Sequence, residues 1–424
     1  MFKTLQNALK IPDLRKKLVF TFLMLVVFRI GTAIPVPGIN VDVIKQMISQ
    51  QAGILSFYDI VAGGAFSNFT IFALSITPYI TSSIVIQLLT VAIPALEDMQ
   101  KSGEEGRKKI LQYTRYLTVV LALIQATAIG IGFFNSALVS DSILSKISVV
   151  LTLTAGTAFL MWLGEQITEK GIGNGISLLI FAGIVSRIPQ ATVQTFELVK
   201  SGELNFIQVG VFLIISVAII VGVILVLQGV RKIPVQYAKR VVGRKTYGGQ
   251  STHIPLKVNQ AGVIPVIFAV SLLAFPQTLG IFIKNPEYQA FVSKWFTASG
   301  NPGIYVYTIM EFLLVVFFTY FYISITFNPD EVADNMKNSN GFIPGIRPGK
   351  STAEYLARVL NRLTLAGAVF LAIIASLPTI IYSATNIPFR FGGTSLLIVV
   401  GVAIETMKQI EAQMVMRHYQ GFLK

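Results

Sequence analysis

Ten apolar runs, most of them 16 to 24 residues long, constrain this chain more than any other feature. They are Leu18–Ala33, Ile71–Ile93, Leu117–Leu138, Ile147–Leu163, Ile176–Ile188, Phe206–Leu227, Val263–Ile283, Ile304–Phe327, Leu363–Tyr382 and Thr394–Met416. A helix rises about 1.5 Å per residue and bilayer hydrocarbon is ~30 Å thick, so about 20 apolar residues make one crossing. Of the 424 residues, 53% are hydrophobic and 13% charged. No soluble core hides that much apolar surface, so lipid must solvate much of the chain. The fifth run is short and contains Arg187. The tenth carries Glu405, Lys408 and Glu411 and should project beyond the lipid. The expected fold is an all-α polytopic membrane protein with ten transmembrane helices.

The net charge of +14 is explained by where the basic residues fall. With the N-terminus inside, the outer segments hold only Lys45, Lys146, Arg187, Lys200, Lys284, Lys294 and Arg390. Arg29 lies within the first run, and the other 26 of 34 basic residues lie on the inner side. Positive charge is retained on the cytoplasmic side of membrane proteins. Both termini are therefore expected in the cytoplasm, and nucleic acid is not needed to account for the charge. Residues 1–17 mix Lys3, Lys10, Arg15, Lys16 and Lys17 with Phe2, Leu5, Leu9 and Ile11. That pattern fits a basic amphipathic segment on the membrane surface, or a solvated tail. The first apolar run lacks a small-residue cleavage pattern and reads as a retained span.

Residues 57–68 precede the second run. They are apolar but studded with Gly63, Gly64, Ala65, Ser67 and Asn68, and they are too short to cross a bilayer. A re-entrant segment beside an internal cavity fits them, and so does an apolar outer loop. Three inner stretches exceed what a connection needs: Glu97–Arg115, Gln228–Gln260 and Asn328–Arg362. In the second, β-branched residues around Gly243 predict a basic hairpin. The third opens on Asn328-Pro329, a good helix start, and restarts at Ser351, where Ser351 and Glu354 have capping-box spacing. Such protruding basic loops fit a docking platform, although any one Lys or Arg in them serves equally as a topology signal. The run Gly171-Ile-Gly173-Asn-Gly175 lacks the Lys-Ser/Thr ending of a phosphate loop and predicts a tight interhelical turn.

The missing residue types narrow the function. There are no cysteines, which excludes disulfides and thiolate chemistry, and the only histidines are His253 and His418, outside the spans. No Ser–His or metal constellation can be assembled within the membrane. Secondary transporters usually carry charged groups in their spans. Here Glu311 and Arg29 are the main candidates, and each is near enough to an end to snorkel. Branched aliphatic residues on helices interrupted by Pro78, Pro265, Pro276 and Gly392-Gly393 offer a narrow, dry, apolar passage instead. Such a passage suits something large and chemically varied. Competing readings are a secondary transporter of small solutes and a membrane enzyme acting through Glu311 or Glu165.

Several long motifs now become specific. RIGTAIPVPGI at 29–39, GGAFSNFTIFALSITPYITSSIVIQLL at 63–89, GRKKILQYTRYLT at 106–118, MWLGEQITEKGIGNGISLLIFAGI at 161–184, GFIPGIRPGKSTAEYL at 341–356 and FGGTSLLIVVGV at 391–402 stand in the chain. With these motifs the sequence resembles the SecY family, the channel subunits of the bacterial Sec protein translocase, nearly end to end. The resemblance implies two inverted five-helix halves, 18–203 and 204–424, around a central hourglass pore in the bacterial cytoplasmic membrane. The odd number of spans per half agrees with inversion. On matching positions the pore ring is Ile76, Ile80, Ile180, Ile267 and Ile398, although each alone reads as an ordinary core isoleucine. The plug is 57–68, with Phe57, Ile60, Val61, Gly63, Gly64, Phe66 and Asn68. A lateral gate is implied between spans 2 and 3 and spans 7 and 8, faced by Thr81, Gln87, Gln125 and Asn259. Interhelical hydrogen bonding would explain those four equally. The loops 228–260 and 328–362 match the docking surface for the SecA motor ATPase and the ribosome, with Lys239, Arg240, Arg244, Lys245, Arg347 and Lys350 as contacts. Small SecE-like and SecG-like membrane subunits and preprotein signal sequences are the implied partners besides the lipid bilayer. No cofactor is implied.

Overall fold

A computed structural model describes residues 6, 8–50, 63–202, 204–237, 240–242, 245–247, 252–283, 285–296, 302–385 and 393–421. In the N-terminal part, α1 is Pro12–Gly31, α2 Val41–Gln50, α3 Thr77–Ala92, α4 Pro94–Lys101, α5 Glu104–Thr127, α6 Ile143–Lys170, α7 Gly175–Ser186 and α8 Ile188–Lys200. Beyond them, α9 is Phe206–Gln228, α10 Ile264–Phe282, α11 Pro286–Trp295, α12 Gly303–Thr326, α13 Pro329–Asn338, α14 Lys350–Thr385 and α15 Gly393–Gly421. Each of the ten apolar runs falls on a helix. Among the described residues, six segments are individually long and apolar enough to cross a membrane: 104–132, 143–170, 175–200, 206–228, 303–338 and 350–377. The count is seven if α3 and α4, bent by 102° about Ile93, are taken as one span.

The helix starts follow local chemistry. α1, α3, α4, α8, α10, α11 and α13 all carry proline in their first two positions, where its missing N–H costs no hydrogen bond. Asn328 accepts from the Asp330 and Glu331 amides, the start expected for α13. A capping box forms at Asn205 and Gln208, ahead of α9. The capping box anticipated at Ser351 does not form at that position. α14 already begins at Lys350, which puts Ser351 inside its first turn. The second span also starts later than its hydropathy predicts. Residues 71–76 are turns, and the helix begins only at Thr77. Pro78 then falls in the first turn of the helix, where its missing N–H costs no hydrogen bond. Ser75, in the left-handed region at φ 53°, redirects the chain just ahead of it.

One apolar cluster runs through both parts of the chain, from Phe28 and Phe66 to Ile398 and Val402. The N-terminal and C-terminal helices meet along two lines. On one, α3 and the π-helical turn Ala128–Phe133 touch α10; on the other, α7 packs on α15. A second cluster unites the two large loops 228–260 and 328–362. Strand β1, Val230–Tyr237, pairs antiparallel with β4, Thr252–Lys257, and at its far end with β5, Gly341–Phe342. Ile233, Val235 and Leu256 from the first loop bury against Met336, Ile343 and Leu356 from the second. The predicted hairpin is present as β2, Arg240–Val242, paired with β3, Lys245–Tyr247.

Part of the N-terminal segment packs on protein, although Leu9 is exposed and Phe2 and Leu5 lie outside the described residues. Ala8 and Leu14 pack with Ile172 and Ile410, flanked by Ile11, Leu18, Met407 and Met414. The glycine turn lies here as well, and side chains take up its amides. Ile172 N–H donates to Thr21 Oγ1 (3.0 Å), Gly173 N–H to Gln409 Oε1 (2.9 Å) and Gly175 N–H to Thr168 Oγ1 (2.8 Å). It is a tight turn, as its composition predicts, and it ties α6 and α7 to α1 and α15.

Candidate functional site

The site is built where the turn segment 63–76 meets the large apolar cluster. Its downstream end is fixed by aromatic stacking. Phe72 lies between Phe28 of α1 (6.2 Å, 12° between planes) and Phe159 of α6 (6.0 Å, 6°). Phe66 and Phe69 pack on Phe134. Pairs of this kind contribute about 1 kcal/mol each beyond area burial. Backbone bonds tie the segment to the turn after α1, with Val36 N–H donating to Phe69 O (3.0 Å) and Ile71 N–H to Ile34 O (3.0 Å). Its upstream end is compact by self-contact. Ser67 Oγ and Asn68 Nδ2 both donate to Gly64 O, at 3.1 and 3.2 Å.

Gly63 rests directly on α7. Its φ is +63°, and a Cβ there would lie 2.8 Å from Gly183 Cα. Only glycine combines that conformation with that approach. Of the plug residues named from the sequence, Gly63, Gly64, Phe66 and Asn68 are in this segment. Phe57, Ile60 and Val61 lie outside the described residues.

Ile76 immediately precedes α3, Ile80 lies in its first turns, and Ile180 lies on α7, one turn before Gly183. Ile398 lies on α15 and Ile267 on α10. Ile76, Ile80, Ile180 and Ile398 are buried within the single large cluster, and Ile267 is half-buried against it. Five side chains from four helical elements, two of them in each part of the chain, thus belong to one apolar body.

The four polar residues named for the seam do not form one hydrogen-bonded chain. Thr81 Oγ1 donates to Thr77 O (3.1 Å) and Gln87 Nε2 to Ser83 Oγ (3.3 Å), both within α3. Gln125 and Asn259 are buried. Asn259 Nδ2 donates to Gly262 O (2.9 Å), but Gln125 Oε1 and Asn259 Oδ1 accept no hydrogen bond.

The two charges expected to snorkel behave differently from each other. Glu311 is buried at 2% exposure, with Oε2 lacking a partner. Arg29 is exposed, and its Nη1 donates to Ser186 Oγ (3.0 Å) and Gly63 O (3.4 Å). Glu165 is paired with Arg115 (2.8 Å), bridging α5 and α6. On the loop 328–362, Arg347 and Lys350 are exposed at a tip shaped by Gly345 (φ +82°) and Gly349 (φ +94°). The buried Thr352 donates through Oγ1 to Arg347 O (2.8 Å), which fixes the backbone beneath the arginine. Arg240 and Lys245 are on the paired strands β2 and β3, while Lys239 and Arg244 lie outside the described residues. Among the described residues no group of His, Cys, Asp and Glu is placed to hold a metal.

Reading the sequence alone misses two parts of this site. The Phe28–Phe72–Phe159 stack joins residues far apart in the chain and carries no local signal. The Gly63–Gly183 contact is likewise invisible, though paired small residues on a membrane helix and a nearby loop are the usual sign of close backbone approach.

These features define a helical membrane protein whose N-terminal and C-terminal parts share one apolar cluster, with the short turn segment 63–76 packed into it. A model of the SecY family matches residues 70–407. The protein translocase subunit SecY of Halalkalibacterium halodurans is 50% identical over 436 residues, covering all of both chains. Among solved structures, one describing how the plug domain of SecY stabilises the closed state of the translocation channel aligns with TM-score 0.69 and 22% identity, over 95% of this chain and 92% of that one. Sec61 in the canine ribosome-channel complex aligns with TM-score 0.65 and 21% identity, over 95% and 93%. The chain belongs to the SecY family of protein translocase channel subunits.

Proposed function

We propose that the chain forms the hourglass channel of a bacterial Sec translocase. Its ten helices lie in two inverted halves, 18–203 and 204–424, in the cytoplasmic membrane with both termini inside. Unfolded preproteins cross through it, and signal and transmembrane segments leave it sideways into lipid. The observation that supports this reading is that Ile76, Ile80, Ile180, Ile267 and Ile398 belong to the one large apolar cluster that also takes in the turn segment 63–76. A ring of branched aliphatic side chains excludes ions by staying dry. It offers no hydrogen bond or charge to a passing chain, so it grips no particular sequence.

In this reading residues 57–68 are the plug that covers the ring at rest. A signal segment, with an apolar core of roughly 7–15 residues, moves through the seam between α3 and α10 into lipid. Each CH₂ it buries contributes about 0.8 kcal/mol. That binding opens the channel only to the extent that the open state binds the signal more tightly. Gln125 and Asn259, with spare acceptor oxygens at the seam, suit a contact that must break and reform. The tip carrying Arg347 and Lys350, together with the β2–β3 hairpin, serves as the platform for a SecA-like motor or for ribosomal RNA phosphates, and small SecE-like and SecG-like subunits complete the assembly. The chain itself catalyses no covalent step, so the driving energy comes from those partners.

Reconstitution tests this directly. Proteoliposomes containing the chain with its small subunits, motor ATPase and ATP are expected to bring a signal-bearing preprotein into protease protection. They should not take up small labelled solutes. Solute uptake without preprotein protection would replace this reading with that of a solute transporter.

A further inference from the structure

We propose that Arg29 is a positioning residue that latches the plug, holding its Gly63 turn on α7 while the channel rests. This deepens the function proposed above and rests on the reading of 57–68 as the plug. Arg29 sits at the outer end of α1, two residues before the helix stops at Gly31. A guanidinium presents several donors in a fixed fork and calls for hydrogen-bond acceptors. Two acceptors are present, on two different elements. One is Ser186 Oγ on α7 at 3.0 Å, and the other is the Gly63 carbonyl of the turn segment at 3.4 Å. Ser186 is itself fixed, since its Oγ donates to Gly183 O at 2.7 Å. Gly183 is the residue on which Gly63 rests.

Arg29, Ser186, Gly183 and Gly63 thus close a small ring of contacts joining α1, α7 and the start of the described turn segment. The aromatic stack anchors this segment only from Phe66 onward. Upstream of Phe66, the bond from Arg29 and the seat on Gly183 link it to the helices. When the plug leaves, Arg29 loses one acceptor and keeps Ser186, so the charge is not left bare. A latch of this kind releases without a large barrier.

The test is the resting potassium leak of proteoliposomes holding the chain with its small subunits. Arg29→Gln is expected to raise the leak roughly tenfold, the factor set by losing one hydrogen bond from a charged donor. Arg29→Lys keeps a charged donor and should restore most of the seal. Ser186→Ala, which leaves the Gly63 bond in place, should raise the leak only about threefold through looser positioning. Deletion of 57–68 sets the upper limit. Wild-type tightness in Arg29→Gln, with a leaky deletion, overturns the latch and leaves the plug standing. An equally leaky Arg29→Lys overturns the role of the charge. A tight deletion variant overturns the plug reading and the latch with it.

Discussion

Gly156→Ala is expected to abolish stable accumulation of the protein in the membrane. Gly156 lies in the middle of α6, and a Cβ built there would overlap the Ile71 carbonyl oxygen and approach its carbon at 2.9 Å. The obstacle is backbone, so no side chain can swing aside. The turn segment cannot retreat either, because Phe72 is held between Phe28 and Phe159 and Ile71 N–H is bonded to Ile34 O. Helices in lipid gain little from hydrophobic burial against one another, so such close contacts contribute much of what holds them together. Forcing them apart should cost about 3 kcal/mol or more, in the range where single substitutions unfold a protein. Gly222→Ala is the matched control. It is also a helix-interior glycine, in α9, but its nearest neighbour is the Phe370 ring at 3.7 Å. There alanine should be neutral or stabilising by about 0.5–1 kcal/mol. Detergent-solubilised yield and thermal unfolding of the two variants would separate the outcomes. Equal yields would mean that α6 and the turn segment do not approach as described.

The second large effect concerns the apolar collar. Replacing Ile76, Ile80, Ile180, Ile267 and Ile398 together with glutamine should raise resting ion conductance at least about tenfold, because a ring of amides wets where a ring of branched alkyl groups stays dry. Stability gives an independent reading of the same substitutions. If these side chains face a vestibule that water reaches, glutamine finds partners and costs little. If they face a permanently closed core, each unsatisfied amide costs about 1–3 kcal/mol and the variant fails to accumulate. A variant that folds, leaks and still passes preproteins is the expected result. One that folds and stays ion-tight would remove the collar from the mechanism.

Much of the fold is legible in the sequence because lipid leaves few choices. Each apolar run becomes a helix, since no other open structure satisfies its backbone in hydrocarbon. Prolines at 12, 78, 94, 189, 265, 286 and 329 mark helix starts for a local steric reason, and the glycine turn at 171–175 follows from composition alone. What the sequence hides is tertiary. Hydropathy places the second span at Ile71, but residues 71–76 are apolar because they sit inside the protein, not because they cross lipid. Ile11, read as part of a membrane-surface segment, packs with Ala8 and Leu14 against Ile172 and Ile410. The shared core of the two large loops joins Val235 to Ile343 across more than a hundred residues, which no local pattern announces. Glu311 also reads differently in three dimensions. Close to a helix end, it looked free to reach water, yet it faces inward.

Within the site, the isoleucines carry the weakest local signal of all. Isoleucine is the most ordinary residue for a membrane helix, and only the family resemblance singles out these five. Arg29 is the opposite case. Its charge within a span is conspicuous in the sequence, but its partners Ser186 and Gly63 come together only through the packing of α1 against α7.

The most direct test places a reporter in the collar itself. The chain has no cysteine, so Ile76→Cys and Ile398→Cys each introduce a single thiol, one from each half. A signal-bearing precursor carrying one cysteine within the segment held in transit would be stalled during passage and oxidised. Disulfide crosslinks to the precursor from both positions, lost when the precursor is allowed to finish, are the predicted result. No crosslink at either position, with both thiols reacting instead with a lipid-soluble probe, would contradict a central collar through which the chain passes.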